Sequence, residues 1–149
     1  MSVQEQPLMG NTPQPIRMLL ADDSDILRRV ISNFLEHAPT IEIVGEARNF
    51  TELLQKAPEL KPHIVLMDLH MRDEGKFRPD FVKSELQAST ERVLAMSLFN
   101  DGEAIELSKS YGALLLLDKC KLGTDLLPVL EKLSVTLGES TFNSPELIL

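Results

Sequence analysis

Short apolar segments that each end in polar residues recur along the chain, and this pattern restricts the possible folds more than any other feature. The clearest segment runs from His63 to Met67 and ends at the carboxylate of Asp68. Aliphatic runs of this length are typical of strands that are buried on both faces of a parallel sheet. Ligands of open α/β sheets bind at the carboxyl ends of strands, so Asp68 would lie where such folds do chemistry. On this stretch alone, a carboxylate that ends the strand or caps the next turn is the simpler interpretation.

Four further strands and five helices are predicted from similar patterns. Strands that alternate with helices imply right-handed crossovers and a parallel sheet covered on both faces. In the first helix, apolar residues recur at helical spacing and predict one inward face; they are Ile26, Leu27, Val30, Ile31, Phe34 and Leu35. The predicted strands are 16–21, 41–46, 63–67, 92–97 and 113–117, and the predicted helices run from Ser24 or Asp25 to before Pro39, then over about 49–60, 80–88, 101–111 and 124–137, with Pro128 in the first turn of the last.

The length and composition are those of one ordinary globular domain. A chain of 149 residues can form a single core, and 43% hydrophobic with 26% charged residues is usual for a globular protein. Residues 1–15 are rich in Gln and Pro and lack periodicity, so we expect a flexible tail there. The folded domain is predicted over 16–137, followed by a second tail over 138–149.

Charge and cysteine content exclude several classes of protein. The net charge of −8 and the pI of about 4.9 argue against direct binding of nucleic acid, which needs a basic patch. No apolar run approaches the roughly 20 residues of a membrane span, and the first 15 residues do not form a signal peptide. The single cysteine, Cys120, excludes an internal disulfide and indicates a reducing compartment. A cytoplasmic protein is expected.

Polar residues at the predicted strand ends form a candidate site. Parallel strands meet at one sheet edge, so side chains distant in sequence converge there; these are Asp22, Asp23, Asp68, Ser97 and Lys119. Three carboxylates close together repel one another, and Mg²⁺, which takes oxygen ligands, would offset that repulsion. Lys119 supplies a positive charge for a phosphoryl oxygen, and Ser97 supplies a hydroxyl donor. These groups suit phosphoryl transfer to a carboxylate.

In their order and context, these five residues make the chain resemble the receiver domain of bacterial two-component response regulators. The resemblance covers about Ile16 to Leu137. It implies a flavodoxin-like, doubly wound α/β fold with a five-stranded parallel sheet in the order 2-1-3-4-5. It also implies a place in a phosphorelay, with a sensor histidine kinase or a phosphotransfer protein as the phosphoryl donor.

The resemblance also assigns roles to individual residues. Asp68 would be the phosphorylated residue. Asp23, Asp68 and the backbone carbonyl of His70 would bind Mg²⁺, with Asp22 helping through water. Ser97 would hydrogen-bond the phosphoryl group in the activated state, and Lys119 would pair with it.

The expected output is contact with another protein. Only 12 residues follow Leu137, too few for a DNA-binding module. We therefore expect a downstream protein partner or a homodimer through the 101–137 face; the alternative is a receiver separated from its effector domain. The last helix shows a weak likeness to receivers of transcription regulators. The chain would not be an enzyme except in catalysing its own phosphorylation and dephosphorylation.

Four positions depart from the family pattern. Leu116 stands where the family has an aromatic switch residue, and Leu98 is bulkier than usual and would crowd the phosphoryl site. Cys120 replaces the proline that often follows the lysine, so the usual cis peptide is not expected. Arg72 replaces the common proline after Met71, and a long loop follows to Pro79.

Two other functions remain open at this point. A pseudo-receiver would keep the fold and bind partners without phosphate, as the departures at Leu98, Leu116 and the loop suggest. A phosphatase-type hydrolase would use Asp68 as its nucleophile, but it needs an acid two residues on, where the chain has His70. His37 and His63 are expected to be surface residues, and His70 a solvent-facing loop residue.

Overall fold

A computed structural model describes residues 14–139. The predicted tails, 1–15 and 138–149, lie almost entirely outside the described residues. No helix within 14–139 has both the length and the apolar character needed to cross a membrane. The elements in chain order are β1 (Ile16–Ala21), α1 (Asp25–Leu35), β2 (Ile41–Ala47), α2 (Phe50–Leu60), β3 (Ile64–Asp68), α3 (Pro79–Gln87), β4 (Arg92–Ser97), α4 (Gly102–Ser110), β5 (Leu115–Asp118), a 3₁₀ turn (Lys119–Lys121) and α5 (Leu122–Glu139).

The five strands form one parallel sheet in the order β2-β1-β3-β4-β5. The predicted strand order is therefore confirmed. β3 lies at the centre, where all five of its residues are buried. Its pairing places Ala21 opposite Met67 and Asp68 opposite Met96, so the carboxyl ends of β1, β3 and β4 lie side by side.

Two hydrophobic layers cover the sheet. Alternate residues of a strand point to opposite faces, so Met18 and Leu20 pack on the side of α1 and α5, whereas Leu19 and Ala21 pack on the side of α2, α3 and α4. Burial of both faces explains why the strands are almost continuously apolar.

Polar caps place the helix starts at the sheet edge that carries the candidate site. The side chains of Ser24, Asn49 and Asp101 each accept a hydrogen bond from the backbone N–H three residues later. Ser24 is thus the cap of α1, one of the two residues predicted for that place. After α4, Gly112 adopts a φ of 82°, the left-handed conformation that commonly ends a helix.

Several predicted boundaries were wrong by one or two residues. β3 includes Asp68, and β5 begins at Leu115 instead of 113. α5 begins at Leu122, so Pro128 lies inside the helix and not in its first turn. The 3₁₀ turn leads directly into α5 and explains the earlier start.

The predicted inward face of α1 is only half buried. Ile31 and Leu35 are buried in the core, whereas Ile26, Val30 and Phe34 are 73%, 55% and 39% exposed. The exposed residues are four apart and form one row along the helix. α1 therefore presents an apolar row to the outside, which we call the α1 row.

Candidate functional site

The structure brings all five predicted side chains to one edge of the sheet. Asp22 and Asp23 follow β1. Asp68 is the last residue of β3, and Ser97 is the last residue of β4. Lys119 is the first residue after β5. The convergence inferred from the strand ends is therefore present in the fold.

The three carboxylates form a compact cluster. One oxygen from each of Asp22, Asp23 and Asp68 lies within 4.8 Å of the others. Asp22 is fully buried; its Oδ1 accepts a hydrogen bond from the backbone N–H of Ser24 at 2.8 Å. Its Oδ2 is buried and faces the ammonium of Lys119. Three carboxylates this close together fit a hard divalent cation, because such ions bind oxygen ligands and offset like charges.

Lys119 supplies the positive charge of the site. Its Nζ lies 2.8 Å from Asp22 Oδ2 and 3.3 Å from Asp68 Oδ2. Burial opposes the charged form of Lys119, but the contacts with Asp22 and Asp68 outweigh burial and raise its pKa. The ammonium therefore stays protonated between the two carboxylates.

Asp68 is buried and hydrogen-bonded like Asp22. It is 4% exposed, and its Oδ1 accepts a hydrogen bond from the backbone N–H of His70 at 3.1 Å. Burial raises the pKa of Asp68; the His70 N–H opposes this, the charge of Asp22 adds to it, and Lys119 opposes it. Oδ2 of Asp68 faces Lys119, so a group transferred to this oxygen would meet the ammonium.

Ser97 is buried beside the cluster, where its Oγ accepts a hydrogen bond from the backbone N–H of Phe99 at 3.0 Å. Leu98, which we expected to crowd the phosphoryl site, is 61% exposed. Leu116 is half-buried and packs against the hydrophobic layer under α2, α3 and α4. Cys120 is exposed, and no peptide bond within residues 14–139 is cis.

The three histidines are outside the cluster. His37 is exposed, as predicted, and His70 is an exposed loop residue whose Nδ1 lies 3.1 Å from Glu74 Oε1. The prediction for His63 was wrong: it is half-buried, and its Nδ1 accepts a hydrogen bond from the backbone N–H of Arg17.

Sequence reasoning missed Arg28, which supports the acidic turn. Its buried guanidinium donates to the backbone carbonyl of Asp22 at 2.6 Å and to the carboxylates of Asp25 and Glu46. Glu46 lies at the carboxyl end of β2 and so reaches the same sheet edge. That position was a usable signal for the Arg28 and Glu46 pair.

Sequence reasoning also missed Asp73, in the loop after β3. Its carboxylate accepts hydrogen bonds from the first residues of α2, Phe50 and Thr51. A loop carboxylate gives no periodic signal, so no sequence pattern pointed to this contact.

Comparisons with known proteins identify the family of the chain. A family profile described as "Response regulator receiver domain" matches residues 18–130. The chain is 37% identical over 90 residues to response regulator protein VraR of Staphylococcus saprophyticus, a match covering 60% of this chain and 43% of that protein. It is 32% identical over 134 residues to VraR of Staphylococcus aureus, a match covering 89% of this chain and 62% of that protein. The chain thus spans less than two thirds of the length of either relative.

A solved structure shows the same fold. The signal receiver domain of the response regulator NarL from Mycobacterium tuberculosis superposes with a TM-score of 0.71 at 20% sequence identity. The superposition covers 83% of this chain and 98% of that one. The flavodoxin-like, doubly wound architecture is therefore shared.

Proposed function

The chain belongs to the response regulator receiver domains, and we propose that it is a phosphoryl-accepting switch whose acceptor is Asp68. The observation that carries the proposal is the position of Asp68 Oδ2. This oxygen lies 3.3 Å from the Lys119 ammonium, within a cluster of three carboxylates that fits Mg²⁺.

The proposed reaction moves a phosphoryl group from a phosphohistidine of a sensor kinase or phosphotransfer protein. A carboxylate oxygen of Asp68 attacks phosphorus, the P–N bond breaks as the O–P bond forms, and the histidine leaves with the electron pair of the broken bond. Lys119 would stabilise the negative charge on the phosphoryl oxygens. Ser97 would donate its hydroxyl to one of them after turning from the Phe99 N–H.

Asp23, Asp68 and the His70 carbonyl would hold Mg²⁺, with Asp22 acting through water. The bound ion would offset the carboxylate charge and the charge on the transferred group. Hydrolysis of the acyl phosphate by water would return Asp68 to its carboxylate. The chain's own catalysis would be limited to these two steps.

The α1 row supports the choice of a protein as phosphoryl donor. Ile26 begins the row three residues after Asp23, so a partner that delivers a phosphohistidine to Asp68 would also cover apolar surface on α1. Replacing Val30 with Ser should therefore slow transfer from a kinase. Labelling by a small phosphodonor should not change, because a small donor does not contact α1.

We propose the opposite side of the domain as the output surface. A groove along the outer strand β5 lies between α4 and α5 and is lined by both apolar and charged residues, including Ile105, Lys109, Leu115 and Asp125. A second copy of the chain or a downstream protein would dock there, within the 101–137 face. Sedimentation velocity with and without a phosphoryl mimic tests the homodimer.

The pseudo-receiver is the alternative that an observation favours. Leu116 has no ring and no polar group, so it cannot respond to Ser97 in the way an aromatic switch would. A partner-binding domain that works without phosphate would tolerate this leucine. It would not need the carboxylate cluster and Lys119 to be intact, which is why we prefer the phosphorylated switch.

Intact-mass spectrometry separates the two functions. The chain is incubated with Mg²⁺ and acetyl phosphate, with Asp68→Asn and a chelator as controls. A phosphoryl-accepting switch gives one phosphate adduct, which is absent from both controls. The pseudo-receiver gives no adduct in any sample.

A further inference from the structure

Hydrogen bonds to the carboxylate of Asp73 tie the loop from Leu69 to Arg78 to the first turn of α2. Asp73 Oδ1 accepts a hydrogen bond from the backbone N–H of Phe50 at 2.8 Å, and Oδ2 accepts from the backbone N–H and the hydroxyl of Thr51 at 3.0 and 2.7 Å. Lys76 Nζ lies 3.2 Å from the same hydroxyl. We call these contacts the Asp73 clasp.

The clasp completes the N-terminus of α2. The first four N–H groups of a helix lack partners within the helix. Asp73 accepts from the N–H groups of Phe50 and Thr51, and the side chain of Asn49 accepts from the N–H of Glu52. Burial would raise the pKa of Asp73, but the hydrogen bonds from Phe50 and Thr51 outweigh it and lower the pKa. Asp73 is therefore held as a carboxylate at this position.

The same loop carries the proposed carbonyl ligand of Mg²⁺. His70 is joined to Asp73 through a tight turn in which the Glu74 N–H donates to the Met71 carbonyl at 2.9 Å. Arg72 gives the turn no backbone restriction of the kind that a proline would. The buried side chains of Leu69 and Met71 hold the chain on either side of His70, and Asp73 adds a polar anchor two residues beyond Met71.

We propose that Asp73 is a positioning residue, which holds the His70 carbonyl at the metal site by fixing the loop against α2. The inference rests on the proposed function, because it assumes that Asp68 and its neighbours bind Mg²⁺. It extends the metal site to Asp73, which is not a ligand and acts through its hydrogen bonds to Phe50 and Thr51.

Titration calorimetry with Mg²⁺ tests the proposal on the whole chain. Asp73→Asn keeps an oxygen for Phe50 but places an amide against the Thr51 donors. We expect the Kd for Mg²⁺ to rise about 10-fold, at the low end of the effect of removing groups that orient metal ligands. Asp80→Asn is the matched control, because Asp80 is an exposed carboxylate that pairs with Arg78. Its Kd should stay within about 2-fold of the parent, as expected for an exposed ion pair.

Variants of Thr51 show whether the hydrogen bonds of Asp73, and not only its charge, affect the affinity for Mg²⁺. Thr51→Val removes one donor to Asp73 and leaves every charge in place, so a weaker Mg²⁺ affinity supports the clasp, and Thr51→Ser should restore it. These variants also decide the matter if Asp73→Asn does not fold. An unchanged Kd in folded Asp73→Asn, or in Thr51→Val, overturns the inference while the proposed function stands. A parent chain that binds no Mg²⁺ overturns both.

Discussion

The ammonium of Lys119 lies 2.8 Å from the buried carboxylate of Asp22. Asp22 has no exposed surface, so its charge depends on neighbouring groups for compensation. Removing one partner of a fully buried ion pair costs about 3–5 kcal/mol, because the other charge is left uncompensated. The side chain of Lys119 is 13% exposed, so water can partly solvate the charge that is left when Lys119 is removed. The cost of removing Lys119 should therefore be smaller than that of breaking a fully buried pair.

We expect Lys119→Ala to lower the free energy of unfolding by about 2 kcal/mol in the absence of divalent metal, which is less than the cost of breaking a fully buried ion pair. Urea unfolding measures the change. Lys121→Ala is the control, since this lysine is exposed two residues further on. Equal stability of Lys119→Ala and the control would show that Lys119 does not compensate the acidic cluster.

Mg²⁺ should raise the melting temperature, because it binds only the folded cluster of Asp22, Asp23 and Asp68. The expected stabilisation is about 2.7 kcal/mol at a metal concentration 100 times the Kd. Asp23→Ala should lose most of it, whereas Glu36→Ala, an exposed carboxylate at the end of α1, should keep it. Thermal unfolding with and without Mg²⁺ provides the measurement. Equal shifts in all three proteins would place the metal elsewhere.

The sequence predicted the sheet and the five site residues because both follow from local patterns. Each buried strand is an apolar run, and the polar residue that ends it must lie at the shared edge, as Asp68 and Ser97 do. The exposure of Ile26 and Leu98 could not be predicted in the same way. An apolar residue at helical spacing or in a loop carries no sign of whether another element covers it.

Contacts between loops and helices were equally invisible in the sequence. Asp73 reaches α2 across more than 20 positions of sequence, and only the folded chain shows that its carboxylate meets the free N–H groups of Phe50 and Thr51. The half-buried His63 was missed for a similar reason. Its hydrogen bond from Arg17 depends on the pairing of two strands.

Tyr111 should make stability fall at high pH. It is the single tyrosine of the chain, is buried, and stacks on Phe50 with ring centroids 5.3 Å apart. Burial, with smaller contributions from Glu74 and Asp73, raises the pKa of Tyr111 to about 12. The pKa of a tyrosine in an unfolded chain is about 10. The folded state therefore binds this proton more tightly, and its contribution to stability is lost as pH rises from the unfolded to the folded pKa.

Absorbance of the phenolate reports this titration directly, because the chain contains no other tyrosine and no tryptophan. In the folded chain we expect the midpoint of the Tyr111 titration to lie well above that of an ordinary tyrosine. In urea the midpoint should match that of an ordinary tyrosine. Tyr111→Phe should remove this part of the pH dependence of unfolding. A folded midpoint at the usual value would contradict the buried, stacked position of the ring.

Activation should order two loops around the site. Leu116 lies half-buried against the α2–α4 side and has no polar group to exchange partners, so we expect the signal to leave through backbone ordering instead. Hydrogen exchange with and without beryllofluoride should show greater protection in 71–79 and 98–103, with little change at Leu116. Unchanged exchange in both loops, with the mimic bound, would rule out this route.

The site of phosphorylation tests the central claim most directly. After incubation with Mg²⁺ and acetyl phosphate, borohydride reduces an aspartyl phosphate to homoserine, and peptide mass spectrometry locates the altered residue. We predict homoserine at position 68 alone, and none when the metal is chelated. Homoserine at Asp22 or Asp23, or an unaltered Asp68 in a chain that carries phosphate, would contradict the account.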